Sequence, residues 1–210
     1  STLMRSSAAS DVYKRQYWDD AIPSQSAYRV EKTVTGADMG LDRLSDPSDP
    51  LYISDDAPAK LSDAKDLFYD QDNDTFWVCD SGNNRILRLD TDLKVTGCYT
   101  GFTGSTEISV GEDGRSTFLN PNGIYVKKSI FDDKLYVYIA DTDNSRAVKC
   151  TVESGTEMTL VQEYTKPDTK LYDSETFNPS KILADKAENI YVVCKSVNTG
   201  SVQFLSLIHI

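Results

Sequence analysis

A heptapeptide that occurs twice constrains this chain more than anything else in it. DSGNNRI runs from Asp80 to Ile86 and DTDNSRA from Asp141 to Ala147. Each follows an apolar run and precedes an alternating one, which predicts a strand ending at the Asp, a tight polar turn, and a new strand beginning at the Arg. Gly82 and Asn83 are the residue types expected to supply the positive φ of such a turn.

The spacing extends beyond the turns. Ala64, Pro121 and Pro179 open similar runs (AKDLFY, PNGIYV, PSKILA) at intervals of 57 and 58 residues. Each continues into FWVC, LYVYIA or IYVVC and then into further short runs. Several short strands per unit, turns at every step and no sustained helical periodicity predict an all-β fold, a partial β-propeller of about three four-stranded blades. The units are expected at about 61–118, 119–176 and 177–204, the last truncated. In that third unit Lys195 is read into the Asp slot, and no Arg closes the KSVNTG turn. Residues 17–60 read as a lead-in, with one strand over Tyr28 to Val34 and loop elsewhere. A half-ring of blades would leave an apolar face bare at each end.

The two extremities of the sequence are related to each other as DNA. LSLIHI (Leu205 to Ile210) can be encoded by a string whose reverse complement translates as DVYKRQ, which is Asp11 to Gln16. One inverted tag flanking an insert explains both; it resembles the mosaic end of a transposase-based sequencing library, and the adjoining adapter translates as SSAAS, Ser6 to Ser10. Residues 1–16 and 205–210 are therefore expected to be adapter-derived, with residues 17–204 an internal piece of a longer protein.

Charge and residue usage then narrow the chemistry. The net charge of −11 becomes more negative without Arg5, Lys14, Arg15 and Asp11 of the tag, so polyanions are repelled and nucleic acid is not an expected partner. The one histidine, His209, lies in the tag, which leaves residues 17–204 without imidazole for acid/base work or metal ligation. No run of eighteen apolar residues occurs, so no membrane span is expected within the fragment. Cys79 and Cys194 fall at similar places in different units, too far apart to pair, and read as small core residues; the pairing of Cys98 and Cys150 stays open.

Charged residues at fixed spacing invite a catalytic reading. Asp80 with Arg85 and Asp141 with Arg146 are better explained as parts of the repeated unit, because a residue that recurs serves the module rather than one site. On that account Gly82, Asn83 and Asn144 are structural too, the Asp accepting N–H bonds of the turn while the Arg head makes several hydrogen bonds. No catalytic residue and no metal ligand is assigned. DQDND (Asp70 to Asp74) has the opening spacing of a calcium loop, but Thr75 and Ser81 stand where Gly and Glu are needed, so it reads as a hairpin turn. Trp77, Tyr136, Tyr138 and Tyr191 suit contacts between blades better than a carbohydrate platform.

With these residues in view the chain resembles the NHL-repeat family. The resemblance covers residues 61–204; DSGNNRI, DTDNSRA, the strands FWVC and YVYIA, and PNGIYV carry it. The opening YWDDAIPSQSAYRVEKTVTGADMG is similar to the lead-in of extracytoplasmic bacterial NHL-type proteins. The resemblance implies a ring of about six blades, a location outside the cell or at its envelope, and a non-enzymatic scaffold that binds a protein or glycan without a cofactor. The alternative it leaves open is a propeller hydrolase or lyase of gluconolactonase type, whose channel carboxylates would hold a divalent cation such as Ca2+. That type's Glu-Gly-Pro signature is absent from these residues.

Overall fold

The computed structural model describes residues 15–17, 20–22, 32–104, 115–168, 172, 176–195 and 202–207. The chain divides into two compact units, 1–33 and 34–210. In the first, β1 (Arg15–Tyr17) pairs antiparallel with β2 (Asp20–Ile22). Most of the strand expected over Tyr28 to Val34 lies outside the described residues.

The second unit is mostly β and propeller-like, three mainly antiparallel sheets in sequence. The first is β3 (Ala64–Asp70), β4 (Thr75–Asp80), β5 (Arg85–Leu89) and β6 (Val95–Tyr99), hydrogen-bonded in chain order. Next come β7 (Gly101–Thr103) and β8 (Arg115–Thr117), then β9 (Pro121–Lys128), β10 (Leu135–Asp141), β11 (Arg146–Val152) and β12 (Met158–Tyr164). The third sheet is β13 (Pro179–Ala184), β14 (Ile190–Lys195) and β15 (Val202–Leu207). β1 and β15 cross the boundaries expected at 16/17 and 204/205.

Two differences from the sequence reading concern connections. The β7–β8 hairpin, expected with the first unit, instead joins the second sheet, where β7 runs parallel to the outer strand β12 at Thr103 and Thr159. The lead-in is partly helical rather than loop. A short helix, α1 (Gly36–Met39), starts at a reciprocal capping box between Thr35 and Asp38, ends at Gly40 in the left-handed region, and runs on as a 3-10 turn over Leu41–Ser45.

Alternation along the strands decides what packs where. Trp77, Cys79, Ile86 and Tyr99 of the first sheet meet Ile124, Val126, Val137 and Ile139 of the second. The opposite face of the second sheet, with Tyr136, Tyr138 and Ala140, packs on Ile182, Ala184, Ile190 and Val192 of the third. The free face of the first sheet is not bare, which corrects the expectation of two exposed ends. Met39, Leu41, Leu44, Leu51 and Ala57 of the lead-in cover Val78, Leu87, Leu89 and Cys98. Only the inner strand there stays open, at Leu67 and Tyr69. Among the described residues no helix is long and apolar enough to cross a membrane.

Candidate functional site

The two repeated turns fold into the same hydrogen-bonded brace. Asp80 ends β4 with its carboxylate buried; Oδ1 accepts the Ser62 N–H at 2.7 Å, and Oδ2 accepts from Arg85 Nε at 2.7 Å and Asn83 Nδ2 at 2.9 Å. Asp141 repeats this with the Leu119 N–H at 2.8 Å, Arg146 Nε at 2.8 Å and Asn144 Nδ2 at 2.8 Å. The main-chain donors belong to the segment entering each sheet, not to the turn itself as the sequence suggested. Arg85 Nη2 goes on to the Pro58 carbonyl at 2.8 Å, and Arg146 Nη2 to Ser116 Oγ at 2.8 Å. Burial raises the Asp141 carboxyl against the lowering pull of those donors.

The backbone conformation also differs from expectation. The left-handed residues are Asn84 (φ 53°) and Ser145 (φ 52°), not Gly82 or Asn83. Gly82 is needed for space: its N–H donates to the Ser62 carbonyl at 2.8 Å, and a Cβ would sit 2.8 Å from that same oxygen. The second residue of each turn, which the sequence reading passed over, reaches forward. Ser81 Oγ donates to the Pro121 carbonyl, and Thr142 Oγ1 to the Pro179 carbonyl at 2.6 Å, so each turn is tied to the first residue of β9 or β13 in the next sheet.

In the third sheet the slot is filled differently. Ala64 faces Asp80 and Pro121 faces Asp141, but Pro179 faces Cys194 rather than Lys195. Cys194, not Lys195, therefore holds the carboxylate's place, and the Lys195 N–H donates to the Asn178 carbonyl at 3.1 Å.

The residues that do not recur are of more functional interest. One bulge recurs near the start of each inner strand, and the residue after it differs every time: Asp66, Gly123 and Lys181. Asp66 Oδ2 accepts the Ile124 N–H at 3.0 Å and Oδ1 pairs with Lys181 Nζ at 2.5 Å, a link from the first sheet to the third across the second. Gly123 permits it, since a Cβ there would lie 2.8 Å from the Lys181 Cα. The Lys181 side chain is half exposed, and the neighbouring Asn122 Oδ1 is buried without a protein donor. This edge brings together a carboxylate of the first sheet and an ammonium of the third.

The remaining candidates are placed plainly. All four cysteines are free and buried; burial pushes the Cys98 thiol up to about 12 and Cys194 to about 11, and raises Cys79 and Cys150 as well. Such thiols are poor nucleophiles. Asp70 folds back onto its own hairpin, accepting from Asp72 N–H at 3.1 Å and Asn73 Nδ2 at 2.8 Å, while Asp74 accepts the Tyr69 hydroxyl at 2.6 Å. Among the described residues no three His, Cys, Asp or Glu side chains converge as a metal site. Trp77, Tyr136 and Tyr138 are buried between sheets, whereas Tyr191 is half-buried and its hydroxyl donates to Asp185 at 3.2 Å.

No protein-family model matches the chain, and no curated protein matches it in sequence. Solved structures similar to it include a functionally unknown protein from Desulfotomaculum acetoxidans (14% identity, TM-score 0.36, covering 68% of this chain and 41% of that one). Kuenenia stuttgartiensis hydrazine synthase is similar at 12% identity and TM-score 0.38, over 74% of this chain and 49% of that one. A streptogramin B lyase is similar at 14% identity and TM-score 0.28, over 67% and 53%. The chain spans about half or less of these proteins, and likeness at this level says nothing of activity.

Proposed function

We propose that this chain is part of an NHL-type propeller scaffold, outside the bacterial cell or at its envelope, that binds a protein or glycan partner at the edge carrying Asp66 and Lys181. The observation that supports the reading is the contrast between two sets of polar residues. The recurring Asp and Arg side chains are buried and, with the half-buried Asn83 and Asn144, spent on holding sheets, while Asp66 and Lys181 on either side of the buried Gly123 are unrepeated and partly exposed. A scaffold needs a rigid repeated frame and one variable surface. The buried, high-pKa thiols point the same way, since they leave acyl or glycosyl transfer through cysteine without an activated nucleophile.

Glycan-array and partner-panel binding of the complete protein tests this, with Lys181→Ala and Asp66→Ala as comparisons. Binding weakened by either variant, with no dependence on calcium or EDTA, is the expected result. Divalent-metal-dependent turnover of a lactone, with a melting point that falls in EDTA, would favour the hydrolase or lyase reading instead.

A further inference from the structure

Three equivalent hairpin turns, β3–β4, β9–β10 and β13–β14, join the strand at the open end of each sheet's order to its neighbour, and one is unlike the others. The first sheet uses Gln71, Asp72, Asn73 and Asp74, and the third uses Asp185, Lys186, Ala187, Glu188 and Asn189. The second sheet uses Ser129, Ile130, Phe131, Asp132, Asp133 and Lys134, and Ile130 and Phe131 are each 70% exposed. Adjacent side chains that open to water stabilise nothing inside the sheet.

The loop beneath them is nevertheless firmly held. The Ser129 N–H donates to the Lys134 carbonyl at 2.8 Å, the Phe131 N–H to Ser129 Oγ at 3.2 Å, and the Tyr136 hydroxyl to Asp132 at 2.6 Å. Ser129 Oγ also donates to Glu188 Oε1 of the third sheet at 2.5 Å, and Lys128 pairs with Asp133 at 2.8 Å. A tip fixed in this way loses little conformational freedom on binding.

Charge separates it from its counterparts too. Lys127, Lys128 and Lys134 flank it against Asp132 and Asp133, whereas the first turn holds only acidic charge and the third holds more acid than base. In a chain of net charge −11 this is the hairpin end least repelled by a negatively charged surface.

We propose that the Ile130–Phe131 tip inserts into the interfacial region of a lipid bilayer and holds the scaffold against it. A convex tip with two neighbouring apolar side chains suits a fluid surface that takes both, and Lys134 beside it suits a phosphate headgroup, Lys128 being paired with Asp133 and Lys127 with the Asp185 carbonyl. The chain's overall charge makes a zwitterionic or mildly anionic surface the favoured one. The proposal is independent of which partner the Asp66–Lys181 edge binds.

Co-sedimentation of the full chain with phosphatidylcholine vesicles, with and without a minority of phosphatidylglycerol, tests it. Ile130→Ser with Phe131→Ser is expected to reduce partitioning by about tenfold or more, because most of the inserted apolar area is lost, while the melting point holds. Leu67→Ser, at another exposed apolar position, should leave partitioning unchanged. In Phe131→Trp, emission should shift to the blue on adding vesicles and be quenched by brominated acyl chains. Equal partitioning of wild type and the double variant, or an equal loss with Leu67→Ser, overturns the proposal. A blue shift without bromine quenching also overturns it, in favour of a protein contact at the tip.

Discussion

Asp141 and Cys194 sit at the same register position in neighbouring sheets, opposite Pro121 and Pro179, and they hold their sheets by different means. Around Asp141 a buried carboxylate gathers a main-chain N–H, an amide and a guanidinium. Around Cys194 a small thiol fills space, and the strand end is tied by the Lys195 N–H to the Asn178 carbonyl. The contrast teaches that the Asp is useful only as one member of a set. Where Arg and Asn do not follow it, a small thiol that meets Tyr172 suits the position better than an unpaired charge.

The sharpest attempt to break this comparison removes and transplants the carboxylate. Asp141→Ala leaves Arg146 only the more distant Glu163, at 3.6 Å, and should cost about 3 kcal/mol in urea unfolding. Cys194→Asp should also destabilise by several kcal/mol, since no Arg meets the new charge, whereas Cys194→Ala should cost about 1 kcal/mol. A neutral or stabilising Cys194→Asp would show that the carboxylate acts alone.

A smaller effect is expected one position inside the turns. Gly82→Ala drives a Cβ against the Ser62 carbonyl and should cost about 1–3 kcal/mol, while Asp143→Ala at the matching place should stay within about 0.5 kcal/mol. Smaller again, Ser81→Ala and Thr142→Val each remove one hydrogen bond to the next sheet, for about 1 kcal/mol apiece by thermal or urea melts.

The last difference to sharpen depends on pH. Lys149 Nζ of the second sheet pairs with Glu188 Oε2 of the third at 2.7 Å, and the Lys149 ammonium lies 3.8 Å from the Tyr136 ring centroid. Burial pushes the Glu188 carboxyl up, but hydrogen bonds from Lys149 and Ser129 outweigh it and leave it below the ordinary glutamate range. A lowered folded pKa gives stability above the unfolded value that is lost as pH falls through the folded one. Melting points of wild type and Glu188→Gln should therefore differ at neutral pH and converge in acid below the glutamate range. Asp141 and Glu163, both raised by burial, contribute with the opposite sign.

Strand positions and turn sites were legible because a 57–58-residue recurrence averages out local ambiguity, and Asp80 and Asp141 marked strand ends without help from tertiary contacts. What escaped were features set by contacts between units. The helix at Gly36 rests on one capping box and on Met39, Leu41 and Leu44 reaching another sheet, too short a pattern to carry a period. The β7–β8 hairpin pairs beyond its own unit, which spacing cannot reveal. Gly82 was read as a conformational glycine, yet the constraint is the oxygen of Ser62, twenty residues back in the chain. The Asp66–Lys181 pair joins residues more than a hundred apart, linked only by an equal place in the repeat.

The hydroxyls of Ser81 and Thr142 give the contacts between sheets a direction along the chain. Each turn closes backward on a segment already synthesised, Ser62 or Leu119, but its hydroxyl waits for a carbonyl that emerges from the ribosome later, at Pro121 or Pro179. Each of these two turns thus presents a hydroxyl that receives the start of the next sheet's inner strand.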